Sequence, residues 1–191
     1  MKTDVIMISS NGNQMNTALL QAEKVAAYKN LSQKNALHLR LLVEETLSMM
    51  RSIAGDVEGK LWIEDDADVF QVHLQVNTNM DEKQREQVVS ASTSGKNEAS
   101  RGIMGKIRSF FEPVDSLPVF LTASPDGIYT DVAWSLRTYQ AQLQQYIEQQ
   151  REGAAEAWDE LEKSVISHVA DEVKVSILGR DVEMVIYKKM V

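Results

Sequence analysis

Histidine, cysteine and clustered acidic residues are the side chains that most often bind metals or attack substrates, and this sequence offers few of them. The chain has no cysteine, which excludes disulfides, thiolate zinc sites and cysteine nucleophiles. Its histidines, His38, His73 and His168, are far apart and lack the spacing of a metal site. The acidic run at 64–68 lacks the ligand spacing of an EF-hand loop, so it is interpreted as a charged turn. No metal site is predicted.

Length, charge and hydropathy bound the class of protein. The 191 residues fit a single domain spanning 1–191, and a hydrophobic fraction of 43% is enough for a packed core. The net charge of -8 argues against nonspecific nucleic-acid binding, which needs cations to neutralise phosphates. The sequence shows no apolar run of about 18 residues and no signal-peptide pattern, so we expect no membrane span and a cytoplasmic location.

The first half of the sequence predicts two helices and three strands. The predicted strands, from apolar runs or strict alternation, are 5–8, 61–63 and 70–76. Alternation in the last of these places His73 on a polar, solvated face. Helical spacing covers 14–28, and Ser32 is a predicted N-cap for a long apolar helix at 33–54. We expect that helix at the centre of the core, because apolar residues occupy most of its surface.

The second half predicts a mobile segment, more helices and a closing hairpin. Small polar residues at 90–97 indicate the mobile segment. Helical spacing or apolar runs predict a helix at 102–112, a short strand at 119–121, and helices along the stripes 132–146 and 158–169, with a break near Gly153. Alternation over 173–177 and 182–186 on either side of a Gly-Arg-Asp turn predicts the hairpin.

Two short segments carry a resemblance to a known family. Residues 39–49 read Leu-Arg-Leu-Leu-Val-Glu-Glu-Thr-Leu-Ser-Met, and residues 170–175 read Ala-Asp-Glu-Val-Lys-Val before the closing hairpin. Both are similar to segments of the histidine-kinase-like ATPases, most closely the bacterial anti-sigma-factor serine kinases, over about 30–80 and 160–190. The resemblance implies an α+β fold: a two-layer sandwich of a mixed sheet covered by helices on one face, with a helical insertion.

The first segment resembles the helix that lines the family's nucleotide site. There a Glu orients the attacking water or the substrate hydroxyl, and an Asn one turn later binds magnesium. Glu45 matches the first position and is the predicted catalytic residue, whereas Met49 stands at the second, on the same face of the helix. A thioether is a poor ligand for a hard cation, which argues against magnesium-dependent phosphoryl transfer. The resemblance thus implies ATP or ADP as the cofactor, with Met49 lining its pocket.

The family's second motif, Asp-x-Gly, follows the strand and recognises adenine. Asn77 and Asn79 stand at the corresponding positions of this sequence. The amide oxygen of Asn77 can accept the hydrogen bond that the adenine amino group donates. Asparagine at position 79 tolerates a positive φ better than most residues other than glycine. Both are therefore predicted nucleotide-binding residues.

The third family motif is a glycine-rich loop that opens a helix and holds phosphates through backbone N–H groups. One match in this sequence is Gly102, Gly105 and Lys106, where glycines and cations lie at the start of the helix predicted at 102–112. The other is the helix that ends before Ala170, which stands at the family's usual place. With the second match, residues of about 80–155 form an enlarged lid. The sequence leaves both alignments open.

The sequence leads to three hypotheses about function. In the first, a regulatory protein of anti-sigma-factor type binds ATP or ADP, with weak or no catalysis, and thereby changes its affinity for a protein partner such as a regulator or sigma-like factor. In the second, the chain is an active serine/threonine protein kinase that uses Glu45 as its base. In the third, it is a binding scaffold without nucleotide, whose partner surface is the stripe containing Leu136 and Leu143 on the 132–170 helices. That stripe would also suit a homodimer.

Overall fold

The computed structural model describes residues 1–52, 57–77, 122–123, 129–130, 132–178 and 181–190. Its elements in chain order are β1 (Ile6–Ser9), α1 (Met15–Tyr28), α2 (Gln33–Ser52), β2 (Glu58–Asp66), β3 (Val69–Asn77), β4 (Thr122–Ala123), β5 (Tyr129–Thr130), β6 (Val132–Ser135), α3 (Leu136–Glu148), α4 (Ala154–Lys163), α5 (Val165–Val169), β7 (Glu172–Leu178) and β8 (Asp181–Lys189). The predicted mobile segment at 90–97, the helix at 102–112 and the strand at 119–121 lie outside these ranges.

Six of the strands form one sheet in the order β1-β2-β3-β8-β7-β6. Every neighbouring pair in it is antiparallel, so the prediction of a mixed sheet is wrong. The reason is that β2–β3 and β7–β8 are hairpins, whose strands reverse direction, and β3 meets β8 antiparallel over nine residue pairs. The predicted closing hairpin is confirmed, and β4 and β5 pair separately.

Alternation along β3 gives the sheet two different faces. The helix-covered face is built in β3 from four apolar side chains that are at most 3% exposed, Phe70, Val72, Leu74 and Val76. The polar face carries the alternating residues Gln71, His73, Gln75 and Asn77. Buried residues of all five described helices form one core cluster with the helix-covered face. The α+β class is therefore confirmed.

Helix α2 lies in the middle of the helical layer, where it contacts α1, β3 and α5. Its predicted N-cap is confirmed, because the Ser32 hydroxyl oxygen accepts a 3.2 Å hydrogen bond from the Asn35 backbone N–H. Near the other end of the helix, Met50 packs onto Gly59 of β2. A Cβ atom at Gly59 would lie 3.1 Å from the Met50 Cε and 3.0 Å from the Gln75 carbonyl oxygen. Glycine at this position lets the helix approach the sheet closely.

The stripe predicted as one helix from Val132 to Tyr146 contains a strand at its start. Residues 132–135 form β6, which pairs with β7, and α3 begins only at Leu136. The strand ends there because the hydroxyl oxygen of Ser135 accepts a hydrogen bond from the Thr138 backbone N–H and caps the helix. The stripe at 158–169 is likewise divided, at Ser164, into α4 and α5. Gly153, with a φ of 76°, begins α4 at the predicted break.

Part of the predicted insertion at 80–155 belongs to the main body. Strand β6 forms the outer strand of the sheet next to β7. Leu136, Tyr139 and Leu143 of α3 are each at most 8% exposed and belong to the core cluster. These residues therefore pack inside the protein. They do not form the exposed partner surface that the scaffold hypothesis assigned to this stripe.

The acidic run at 64–68 is mostly strand, which corrects its interpretation as a charged turn. Residues 64–66 belong to β2, and only Ala67 and Asp68 form the turn to β3. The Asp65 side chain is 3% exposed, and Lys29 Nζ of the α1–α2 turn lies 2.6 Å from its Oδ2. Burial alone would raise the pKa of Asp65, but the hydrogen bond from Lys29 and the nearby Met1 ammonium hold it below its ordinary value. Asp65 thus joins the helical layer to the sheet.

Candidate functional site

Glu45, the predicted catalytic residue, lies on one flank of α2. The opposite flank contacts α1, through Arg40, which pairs with Glu23, and through Arg51, whose Nε lies 2.9 Å from the Met15 sulfur. At about 100° a residue, Glu45 lies about 140° around the helix from Arg40. Since α1 contacts β1 and β2 while α3 contacts β6 and β7, this flank faces the β8–β7 half of the sheet.

The environment of Glu45 is unusual for a carboxylate on a helix. The side chain is half-buried, and its carboxylate makes no hydrogen bond or ion pair with any described residue. Burial raises the pKa of Glu45, and the neighbouring Glu44 carboxylate adds to the rise. A desolvated acid without a partner is a common feature of functional sites, because the folded protein is not using it to stabilise itself.

Replacing Glu45 by glutamine is therefore expected to raise the melting temperature at neutral pH. Ionising a carboxyl group whose pKa is raised costs more in the folded protein than in the unfolded chain. That cost is present above the raised pKa and disappears as the pH falls towards the unfolded value. The stabilisation by Glu45→Gln should accordingly fade by about pH 4. Melting curves of both proteins across this pH range test the prediction.

The matched control is Glu152→Gln, because the Glu152 side chain is exposed whereas that of Glu45 is half-buried. Its melting temperature should follow that of the unchanged protein at each pH. A Glu45→Gln protein that is less stable at neutral pH would mean that the carboxylate has a stabilising partner, which contradicts the arrangement described above.

His38 is a residue of this flank that sequence reasoning missed as a candidate. It was judged only against metal spacing, yet 38 and 45 are seven apart, which places them on one side of a helix two turns apart. The His38 Nδ1 is buried and has no hydrogen-bond partner among the described residues. Burial, and then the charges of Lys188 and Lys34, lower the pKa of His38. This shift favours the uncharged imidazole of His38, two turns before Glu45 on α2.

Met49 lies one turn beyond Glu45 and points into the core. Its side chain is 2% exposed and belongs to the core cluster. A buried thioether in this position packs against apolar neighbours, and thioether sulfur is a weak ligand for a hard cation. The predicted role of Met49 in lining a nucleotide pocket stays a prediction.

Asn77, the predicted adenine acceptor, is on the other side of the sheet from α2. It follows Gln75 and His73 on the polar face, and its Nδ2 donates a 2.6 Å hydrogen bond to Asp181 Oδ1 of β8. The side chains of Asn77 and Glu45 are therefore not brought together. The other predicted nucleotide-binding residues, Asn79, Gly102, Gly105 and Lys106, lie outside the described residues.

The polar face carries a stacked aromatic cluster that the sequence did not reveal. The Trp62 and His73 rings stack with centroids 4.7 Å apart and planes 11° from parallel. Lys2 Nζ lies 4.8 Å from the Trp62 ring, and His73 Nδ1 lies 3.2 Å from Glu183 Oε1. His73 is 8% exposed, so the expectation that it is solvated is wrong. Its cross-strand neighbour Trp62 covers it, and that pairing depends on a register that alternation alone does not give.

Two further observations limit the chemistry of the described residues. Across the described ranges, His, Asp and Glu side chains nowhere gather in threes as a group that could hold a metal ion. None of the helices in those same ranges combines the length and apolarity needed to cross a membrane.

The sequence matches no protein-family model, and a search of curated proteins finds no match. The assignment of the candidate site therefore rests on the geometry of its residues and on the resemblance of short segments described above.

Proposed function

We propose that this chain is a nucleotide-binding regulatory protein of the histidine-kinase-like ATPase type, with weak or no catalysis. ATP or ADP would bind beside the flank of α2 that carries Glu45 and would change the affinity for a protein partner. The observation that carries the proposal is the half-buried Glu45 carboxylate, which has no partner in the described part of the chain. It lies on the side of α2 that faces the β8–β7 half of the sheet.

The packing of the two segments that carry the family resemblance supports the proposal. Residues of about 30–80 and 160–190 are far apart in sequence. In the fold, however, β3 pairs with β8 along its whole length, and α2 contacts α5. Glu45 thus lies on a helix of the first segment that packs against the second, which is where a ligand held by both would bind.

The proposal assigns no adenine contact to Asn77 in this arrangement. Its side chain faces the polar side of the sheet and is hydrogen-bonded to Asp181. It also assigns no magnesium ligand to Met49, because that side chain is in the core. Nucleotide binding that does not depend on magnesium, with little turnover, is the behaviour that fits both placements.

Thermal unfolding with ATP, ADP or a nonhydrolysable ATP analogue, each with and without magnesium, tests the proposal. A nucleotide at about a hundred times its Kd should add about 2.7 kcal/mol to the free energy of unfolding. For a chain of this length, the melting temperature should rise by about 5–10 °C. We expect similar rises with and without magnesium. A rise that requires magnesium would instead favour the protein kinase.

A pair of bulky substitutions locates the site. Glu45→Tyr places a bulky side chain on the proposed binding surface and should remove most of the nucleotide-induced rise. Glu44→Tyr is the matched control, because Glu44 is exposed and points about 100° away on the same helix. No rise with any nucleotide would overturn the proposed function. Equal rises in the two variants would mean that the nucleotide binds elsewhere.

A further inference from the structure

A groove of about 450 Å³ lies between α1 and α2, on the flank of α2 opposite to Glu45. Its wall is mostly apolar and comprises Ala26, Ala27, Leu31, Ala36 and Leu37, with the Glu23–Arg40 ion pair across it. Leu37 is 54% exposed, a large fraction for a leucine on a helix. On α1, Leu20 is also 54% exposed and lies on the same stripe as Glu23 and Ala27, so it lengthens the apolar strip by one turn.

The charge around this groove is opposite to that of the whole protein. The two helices and the turn between them, residues 15–52, have a net charge of +2, from the five cations Lys24, Lys29, Lys34, Arg40 and Arg51 and the three acids Glu23, Glu44 and Glu45. The complete chain has a net charge of -8. Lys29 is paired with Asp65, whereas Lys24 and Lys34 are exposed. Lys24 lies one helical turn from Leu20, and Lys34 lies one turn from Leu37, so cations border both apolar side chains.

The shape of the groove indicates the kind of partner. Two antiparallel helices form its sides, and Leu20 and Ala27 are about two helical turns apart along α1. A third helix laid into such a groove presents apolar anchors at i, i+3 or i+4 and i+7. Acidic residues flanking those anchors would meet Lys24 and Lys34, whereas basic residues there would be repelled.

We propose that the α1–α2 groove binds an acidic amphipathic helix of a protein partner. The apolar side of that helix covers Leu20 and Leu37, and its carboxylates pair with Lys24 and Lys34. The groove residues Ala36 and Arg40 lie on the flank of α2 opposite to Glu45, whereas Lys34 lies on the Glu45 side but about three helical turns before it. This surface is therefore separate from the proposed nucleotide site and does not depend on it.

Two synthetic helical peptides test the proposal by fluorescence anisotropy with the full chain. Both carry leucines at i, i+3 and i+7; one has glutamates beside them and its twin has lysines. The acidic peptide should bind at least about tenfold more tightly than the basic one. The difference should shrink as salt is added, because the flanking charges are exposed.

Three variants separate the contributions of the apolar anchor and of the flanking charges to peptide binding. Leu37→Asn should weaken binding of the acidic peptide at least about tenfold, since it removes an exposed anchor without adding charge. Ile147→Asn is the control, because Ile147 is a comparably exposed apolar residue, 40% exposed, on α3. In the double variant Lys24→Glu, Lys34→Glu, the basic peptide should become the tighter ligand.

Any of three results would overturn the proposal. Equal affinity for the two peptides, or an unchanged affinity after Leu37→Asn, would show that this groove does not select an acidic helix. A protein that self-associates in sedimentation, and becomes monomeric on Leu37→Asn, would show that a second copy occupies the groove instead. Because Leu37, Lys24 and Lys34 are exposed, all these variants are expected to fold.

Discussion

Replacing Lys29 by methionine is expected to lower the free energy of unfolding by about 3 kcal/mol, because it leaves the buried Asp65 carboxylate without its main partner. Lys29 Nζ lies 2.6 Å from Asp65 Oδ2, and the Asp65 side chain is only 3% exposed. The effect falls at the lower end of the range for broken buried pairs, since the Met1 ammonium remains 3.2 Å from Asp65 Oδ1. Urea unfolding at neutral pH measures it.

Two controls separate burial from ion pairing as such. Lys2→Met removes a surface pair of similar length, Lys2 Nζ to Glu64 Oε1 at 2.8 Å, and should change the free energy of unfolding by at most about 1 kcal/mol. The double variant Lys29→Met, Asp65→Leu removes both buried charges and should recover most of the lost stability. If Lys29→Met had no greater effect than Lys2→Met, Asp65 would have to be solvated.

Replacing Leu143 by alanine is expected to lower the free energy of unfolding by about 2–5 kcal/mol. Leu143 is 4% exposed and belongs to the core cluster, so truncation loses apolar burial and leaves a cavity. The sequence alone also allowed this stripe to be a partner surface, which would give a small effect. Denaturant unfolding therefore tests the interior position of α3.

The matched substitution for this experiment is Ile147→Ala, one turn further along the same helix. Ile147 is 40% exposed, so its truncation should change the free energy of unfolding by no more than about 0.5 kcal/mol. Similar losses at the two positions would argue that α3 does not hold Leu143 against the core as described.

The parts of the fold that local patterns determine were predictable from the sequence. Ser32 and the apolar run after it predicted α2, and alternation on either side of a turn predicted the β7–β8 hairpin. Strand β6 was missed because Val132 falls in phase with the helical stripe that follows it. The mixed sheet was wrong because strand direction depends on pairings such as β3 with β8, which join residues about a hundred positions apart.

The candidate site was predictable only where it lies on one element. Glu45 and Met49 were placed correctly on one helix, but which side of that helix meets the sheet depends on tertiary packing. The position of Asn77 could have been found, since the alternation that predicted β3 already puts residue 77 with His73 on the polar face. The burial of His73 could not, because it results from stacking on Trp62 of a neighbouring strand.

The central place of β8 in the sheet has a consequence for the protein during its synthesis. Strand β8 is the strand that joins β3 to β7, and Asn77 is 104 residues before its partner Asp181. At the ordinary speed of translation, about 5–20 residues a second, β3 is synthesised about 5–20 s before β8. Throughout that interval the nascent chain carries an open strand edge beside a row of apolar side chains, a combination that invites aggregation and that chaperones recognise.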